Sequence, residues 1–105
     1  MSGSGGGGYI PSQRTKFDCK TGIIITSVSS INVTVLAKHR IGSILDVIIG
    51  KNEELLLEDG DGEILGALLH SNTPDIIGCI NEGADYEAEI ERINIPVCTV
   101  KITRK

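Results

Sequence analysis

The sequence predicts a mainly β domain with one short α-helix, rolled into a small, partly open antiparallel barrel. Short aliphatic runs alternate with turn residues over most of the chain, and a single segment carries clear helix signals. Apolar residues make up 40% of the chain and aromatic residues only 3%, so Ile, Leu and Val must fill the core. Such β-branched side chains favour strands. A flat sheet with one helix on its face is the second choice.

Two regions are predicted within the 105 residues. Residues 1–16 begin with a glycine- and serine-rich run that buries too little surface to offset its backbone entropy, so we expect a flexible tail. Residues 17–105 are long enough for a single small domain.

The strands are predicted from aliphatic runs and from alternation, at residues 23–28, 44–49, 55–57, 63–69, 86–90 and 98–102. The first is interpreted as a buried strand. Two Asp-Gly steps at residues 59–62 predict a hairpin in which both glycines take positive φ. Residues 33–39 fit either a strand or a helical turn. Thr73 as N-cap, Pro74 and a terminating Gly83 predict the helix, which gives an order of four strands, one helix and two strands.

Charge is distributed unevenly along the chain. The net charge is −4, and residues 52–91 contain twelve acidic residues and no Lys or Arg. Since nucleic-acid affinity comes largely from cations that neutralise phosphates, this segment offers little of it. In the strand at residues 86–90, alternation predicts that Glu87 and Glu89 face outward with Glu91. This acidic surface either keeps the protein soluble or attracts a basic partner.

Neither a catalytic site nor a metal site is predicted. The three cysteines, Cys19, Cys79 and Cys98, are widely spaced and odd in number, which favours reduced thiols over a disulfide framework. Together with His39 and His70 they lack the spacing of a zinc site, and no sequence motif supports a Cys–His nucleophile. We therefore predict no catalytic residue, no metal and no cofactor. With neither a membrane-length apolar stretch nor a secretory signal, the expected location is the cytoplasm.

Residues 41–47 (IGSILDV), 55–66 (LLLEDGDGEILG) and 86–90 (YEAEI), with the helix before Gly83, resemble a HIRAN domain. The resemblance extends over residues 41–93. It implies a small barrel-like module with one or two helices that captures single-stranded DNA ends. Residues 51–54 read Lys-Asn-Glu-Glu where that family has a basic residue followed by an Asn-Pro step, so no functional residue is carried over.

Two hypotheses about function follow. The first is a non-catalytic protein-interaction or accessory module, a subunit of a larger bacterial or phage assembly, that binds a basic partner protein. The residues predicted to contact this partner are Tyr9, Glu87, Glu89 and Glu91. The alternative is a HIRAN-like domain that binds single-stranded DNA ends. The cations assigned to it are Arg14, Lys16, Lys38, His39 and Arg40. The oligomeric state is left open.

Overall fold

The computed structural model describes residues 17–105, which form six strands and two helices. The strands are β1 (Ile24–Ser29), β2 (Ile44–Ile49), β3 (Leu55–Glu58), β4 (Ile64–Leu68), β5 (Tyr86–Asn94) and β6 (Val97–Arg104). The helices are α1 (Val33–Leu36) and α2 (Thr73–Asn81). The predicted strand order and the helix between β4 and β5 are confirmed. The tail predicted at residues 1–16 lies outside the described residues.

The strands close into an antiparallel barrel in the order β1-β4-β3-β2-β5-β6, with β6 paired to β1. The expectation of a partly open barrel is therefore wrong. Closure depends on β1, which pairs with β6 from Ile24 to Ser27 and with β4 at Val28 and Ser29. A register shift between Ile90 and Arg92 marks a bulge in β5, and bulges increase the local twist and bend of a sheet.

Alternation along the strands sets the barrel interior. On β5, Tyr86, Ala88 and Ile90 are buried as predicted, and the buried residues on β6 are Cys98, Val100 and Ile102. The prediction for β1 is only half right. Ile24 is buried, but Ile25 is 60% exposed. β1 therefore has one buried and one exposed face, because alternate side chains of a strand in the barrel wall point into the core and out to solvent.

Helix α1 lies within residues 33–39, where the sequence fits either a strand or a helical turn, and it is a second helix beside the single one predicted. The Asn32 side chain caps it by accepting hydrogen bonds from Thr34 N at 3.0 Å and Val35 N at 3.2 Å. The sequence Val-Thr-Val that follows has poor helix propensity. The cap and the burial of Val35 and Leu36 therefore outweigh local propensity.

Helix α2 is confirmed, with a change at its start. The N-cap residue is Asn72 rather than Thr73, and Thr73 Oγ1 instead accepts a hydrogen bond from His70 N at 3.1 Å. Pro74 lies in the first turn, as predicted. Gly83 has a φ of +105°, which is the left-handed conformation expected just after a helix. Ile76 and Cys79 are the buried residues of α2.

Gly66 on β4 is required by the close approach of β1. A Cβ atom at this position would lie 2.5 Å from Val28 Cγ1 and 2.7 Å from Ser29 O. Replacing Gly66 with alanine should lower the free energy of unfolding by about 1–3 kcal/mol, because the barrel must shift to admit the methyl group. Urea denaturation measures this loss.

Gly78→Ala on α2 is the matched control for Gly66→Ala. Within residues 17–105, no atom outside the α2 backbone and the adjacent residues would lie within 4 Å of a Cβ at Gly78, and alanine is favoured over glycine in a helix by about 1 kcal/mol. The two substitutions should therefore change stability in opposite directions. A gain in stability from Gly66→Ala would contradict the close approach of β1 and β4.

Candidate interaction surface

Three carboxylates stand side by side on the outside of the barrel. Asp46 on β2 is paired across the ladder with Glu58 on β3 and with Glu87 on β5. We call Glu58, Asp46 and Glu87 the acidic row. Side chains directly opposite each other on neighbouring strands lie about 5 Å apart at Cβ, and like charges in such pairs repel. The acidic row therefore carries a local electrostatic cost that a cation can relieve.

Lys105, just after β6, relieves part of this repulsion. Its ammonium group forms an ion pair with Asp46 Oδ1, and both side chains are about half exposed. The hydrogen bond to Asp46 raises the pKa of Lys105, and the charges of Asp85 and Glu87 raise it further. One ammonium group thus faces several carboxylates, and this part of the surface stays negative.

A second row crosses four strands next to the acidic row. Ile44 on β2 is opposite Glu89 on β5, Glu89 is opposite Lys101 on β6, and Lys101 is opposite Ile25 on β1. We call Ile44, Glu89, Lys101 and Ile25 the mixed row. Its ends are apolar and open to solvent, since Ile44 is 50% and Ile25 60% exposed. Lys101 Nζ also lies 4.0 Å from Glu91 Oε2.

The predicted acidic trio does lie on the outer side of β5, where its members alternate with the buried residues. The structure divides it, however. Glu87 belongs to the acidic row, while Glu89 and Glu91 both lie near Lys101. Their role in partner binding stays a prediction. Tyr9, the fourth residue of that prediction, lies outside the described residues.

Two of the five residues assigned to the DNA-binding alternative contact carboxylates. Lys38 forms an ion pair with Glu63, and His39 Nε2 lies 3.0 Å from Asp59 Oδ2. Arg40 is exposed. Arg14 and Lys16 lie outside the described residues, and DNA binding stays a prediction.

Asp59 anchors the hairpin between β3 and β4. The residue is only 4% exposed, and its Oδ1 accepts hydrogen bonds at 2.9 Å from Asp61 N and from Glu63 N. The predicted Asp-Gly hairpin is confirmed, but of its two glycines only Gly62 has positive φ, at +82°. The side chain of Asp59 and not a second left-handed glycine shapes the turn. With His39 bound to Oδ2, this carboxylate also ties the segment after α1 to the hairpin.

This anchor should make stability depend on acid pH. The hydrogen bond with His39, and then that from Asp61 N, lower the pKa of Asp59 below 3.8. A carboxyl group with a lowered pKa in the folded state stabilises the protein above the unfolded pKa, and this contribution is lost as pH falls through the folded pKa. Asp18 has a lowered pKa too, because Lys20 N and Thr21 N donate to its carboxylate.

We therefore expect wild-type stability to fall below about pH 4, and to fall less steeply in Asp59→Asn, which removes one of the two shifted carboxylates. Urea unfolding between pH 7 and pH 2.5 measures both curves. Parallel curves for the two proteins would contradict the anchoring role of Asp59.

A disulfide joins Cys19 to Cys79 on α2, with a Cα–Cα distance of 5.7 Å. The expectation of reduced thiols is therefore wrong for these two residues. The sequence contains no local signal that pairs these two cysteines, because 60 positions separate them. Cys98 is a buried free thiol, and burial raises its pKa. An open cavity of about 350 Å³ lies against the disulfide.

Two further findings concern residues 17–105. No group of three or more His, Cys, Asp and Glu side chains is placed there to hold a metal ion. Neither α1 nor α2 has the length and apolar character needed to cross a membrane.

Comparisons with known proteins gave no relative. No family model matches the chain, no curated protein matches it, and no solved structure matches its fold.

Proposed function

We propose that this chain is a non-catalytic protein-interaction module, an accessory subunit of a larger assembly. Its binding face is the outer side of β2, β5, β6 and β1, and its partner presents a basic, aliphatic segment. The observation that carries the proposal is the mixed row, in which exposed isoleucines lie at both ends of a charged centre, directly beside the acidic row.

Charge supports a basic partner. The acidic row and Glu89 present four carboxylates on three neighbouring strands. Among residues 17–105, Lys105 forms an ion pair with Asp46, and Lys101 lies opposite Glu89. A cationic segment that approaches this face is attracted at long range and gains ion pairs on contact. Such complementarity raises association rates and selects partners more than it raises affinity.

The apolar ends support an extended partner segment. Neighbouring strands lie about 4.8 Å apart, so Ile44 and Ile25 are separated by about 14 Å across the sheet. In an extended chain, side chains at positions i and i+4 lie on one face about 13 Å apart. The wall curves between β2 and β1, which lie three strands apart in the closed six-strand barrel. A segment with aliphatic residues at i and i+4 and arginine at i+2 that bends along this wall would place its apolar side chains on the isoleucines and its cation near Glu87 and Glu89.

A labelled peptide with the core Ile-Ser-Arg-Ser-Ile tests this proposal by fluorescence anisotropy at about 0.15 M salt. The triple variant Glu87→Lys, Glu89→Lys and Glu91→Lys should bind it at least about tenfold more weakly, because attraction is replaced by repulsion. A peptide with the core Ile-Ser-Glu-Ser-Ile should bind wild type poorly and the triple variant better.

The matched control replaces three other acidic residues with lysine, so that the net charge of the protein changes by the same amount. Glu53, Asp61 and Glu82 are exposed acids in two turns and at the end of α2, and none of them belongs to either row. The triple variant Glu53→Lys, Asp61→Lys and Glu82→Lys should bind the arginine peptide within about threefold of wild type at 0.15 M salt, where distant charges are screened. Equal losses in the two triple variants would show that only net charge matters and would contradict a specific face.

A further inference from the structure

The disulfide fastens a short segment of chain that is not part of the barrel. Residues 17–22, which we call the strap, precede β1 and lie against α2 through the Cys19–Cys79 bond. The strap folds on itself, because Asp18 O accepts a hydrogen bond from Gly22 N at 2.8 Å. Since no strand of the barrel includes the strap, the sheet is closed without it.

Noncovalent contacts of the strap centre on Tyr86. The Phe17 ring is 8% exposed, and its centroid lies 5.8 Å from that of Tyr86. The Tyr86 hydroxyl donates a hydrogen bond to Cys19 O at 2.6 Å. Among the described residues, the ring contact, this hydrogen bond and the packing of Phe17 in the hydrophobic core hold the strap in addition to the disulfide.

The disulfide can be reached from solvent on one side. Both of its cysteines line the open cavity of about 350 Å³, together with Phe17 and the α2 side chains Asp75 and Glu82. Cys79 is only 4% exposed, while Cys19 is half-buried. An attacking thiolate needs a clear path to one sulfur atom, and Cys19 is the more exposed of the two residues.

We propose that this cavity is a thiol–disulfide exchange site for a dithiol reductant, which attacks Cys19 Sγ, and that reduction releases the strap from α2. The proposal is independent of the interaction surface, which lies on the outer side of β2, β5, β6 and β1.

The exchange proceeds in two balanced steps. A thiolate of the dithiol attacks Cys19 Sγ, the Cys19–Cys79 bond breaks, and Cys79 leaves as a thiolate that takes up a proton from water. The second thiolate of the reductant then attacks its own sulfur in the mixed disulfide and expels Cys19. The protein disulfide gains two electrons and two protons, and the dithiol becomes a cyclic disulfide.

The cavity charge selects among thiols. The carboxylates of Asp75 and Glu82 stand at its wall, so an anionic thiol is repelled and a cationic one is attracted. Asp75 is already bound by Asn72 Nδ2 at 2.9 Å, which makes Glu82 the better position to alter.

The first experiment maps the mixed disulfide with a monothiol. Native protein is treated with cysteamine and quenched with acid, and all free thiols are then alkylated in denaturant before peptide mapping. We expect cysteamine on Cys19 and the alkyl group on Cys79, with Cys98 alkylated in every sample as the internal standard. Cysteamine on Cys79, an equal mixture, or no adduct without denaturant would each overturn the proposal.

The same reaction tests the charge of the cavity. Relative to the rates of the same two thiolates with a small uncharged disulfide, cysteamine should react at least about fivefold faster than 3-mercaptopropionate, and Glu82→Gln should reduce this rate ratio. An unchanged ratio in Glu82→Gln would overturn the selectivity assigned to the cavity wall.

The second experiment measures release of the strap by chymotrypsin digestion before and after treatment with dithiothreitol. Cleavage after Phe17 should rise at least about tenfold on reduction, because the buried ring becomes accessible. Cleavage after Leu57, which is 0% exposed on β3 and has no part in the strap contacts, reports unfolding of the barrel and should stay low. Unchanged cleavage at Phe17, or equal increases at both sites, would overturn strap release.

Discussion

Replacing both Cys19 and Cys79 with serine should lower the free energy of unfolding by about 4 kcal/mol. The bond closes a loop of 60 residues, and the chain-entropy estimate for a loop of that length gives a stabilisation of this size. For a small domain with a total stability of about 5–15 kcal/mol, this is a large fraction. Urea denaturation in the absence of reductant measures the loss.

The single variants provide the control for this prediction. Cys19→Ser and Cys79→Ser should each lose as much stability as the double variant, because either substitution breaks the same bond. Dithiothreitol should destabilise wild type by a similar amount and leave the double variant unchanged. Losses that add up between the two single variants would show that packing, rather than the covalent link, is responsible.

Replacing Leu57 with alanine should cost about 3 kcal/mol, because it opens a cavity in a fully buried part of the barrel. Leu57 on β3 is 0% exposed and lies between its ladder partners Val47 on β2 and Gly66 on β4. Gly66 has no side chain that could move into the space. The change in urea midpoint at constant slope measures the loss.

Leu69→Ala is the matched control for Leu57→Ala. Leu69 is 73% exposed, and the same substitution there should change stability by less than about 0.5 kcal/mol. Equal losses at the two leucines would contradict the placement of Leu57 inside the barrel.

The sequence predicts much of this fold, because local patterns determine it. Alternation identifies Tyr86, Ala88 and Ile90 as inward residues, and the Asp-Gly steps locate the hairpin at Asp59. Pro74 and Gly83 bound α2 through the conformations that proline and glycine favour. Each of these residues determines the conformation of chain only a few positions away from it.

Contacts between distant segments were not predictable from one sequence. Barrel closure requires β1 to pair with β6, and the sequence of neither strand indicates this pairing. The Cys19–Cys79 bond is also a contact between distant segments and was not predictable for the same reason. A disulfide needs Cα atoms about 4.4–6.8 Å apart, and only the docking of the strap on α2 brings the two cysteines to 5.7 Å.

The candidate surface was predictable in part. The outward position of Glu87 and Glu89 follows from alternation on β5. The exposure of Ile25 was not predictable, because a run of three isoleucines at residues 23–25 does not reveal which one faces outward. Ile44 begins an aliphatic strand whose sequence likewise does not show that its side chain is exposed. Asp46 joins the surface only through the pairing of β2 with β3 and β5.

The most direct test of the interaction surface is a map of backbone amide chemical shifts in ¹⁵N-labelled protein during titration with the Ile-Ser-Arg-Ser-Ile peptide. The largest shift changes should fall at Ile25, at residues 44–46, 87–91 and 99–103, and should shrink as salt is raised. Shift changes centred on α2 or on the hairpin at Asp59, or no shift changes at millimolar peptide concentrations, would contradict the proposed interaction surface.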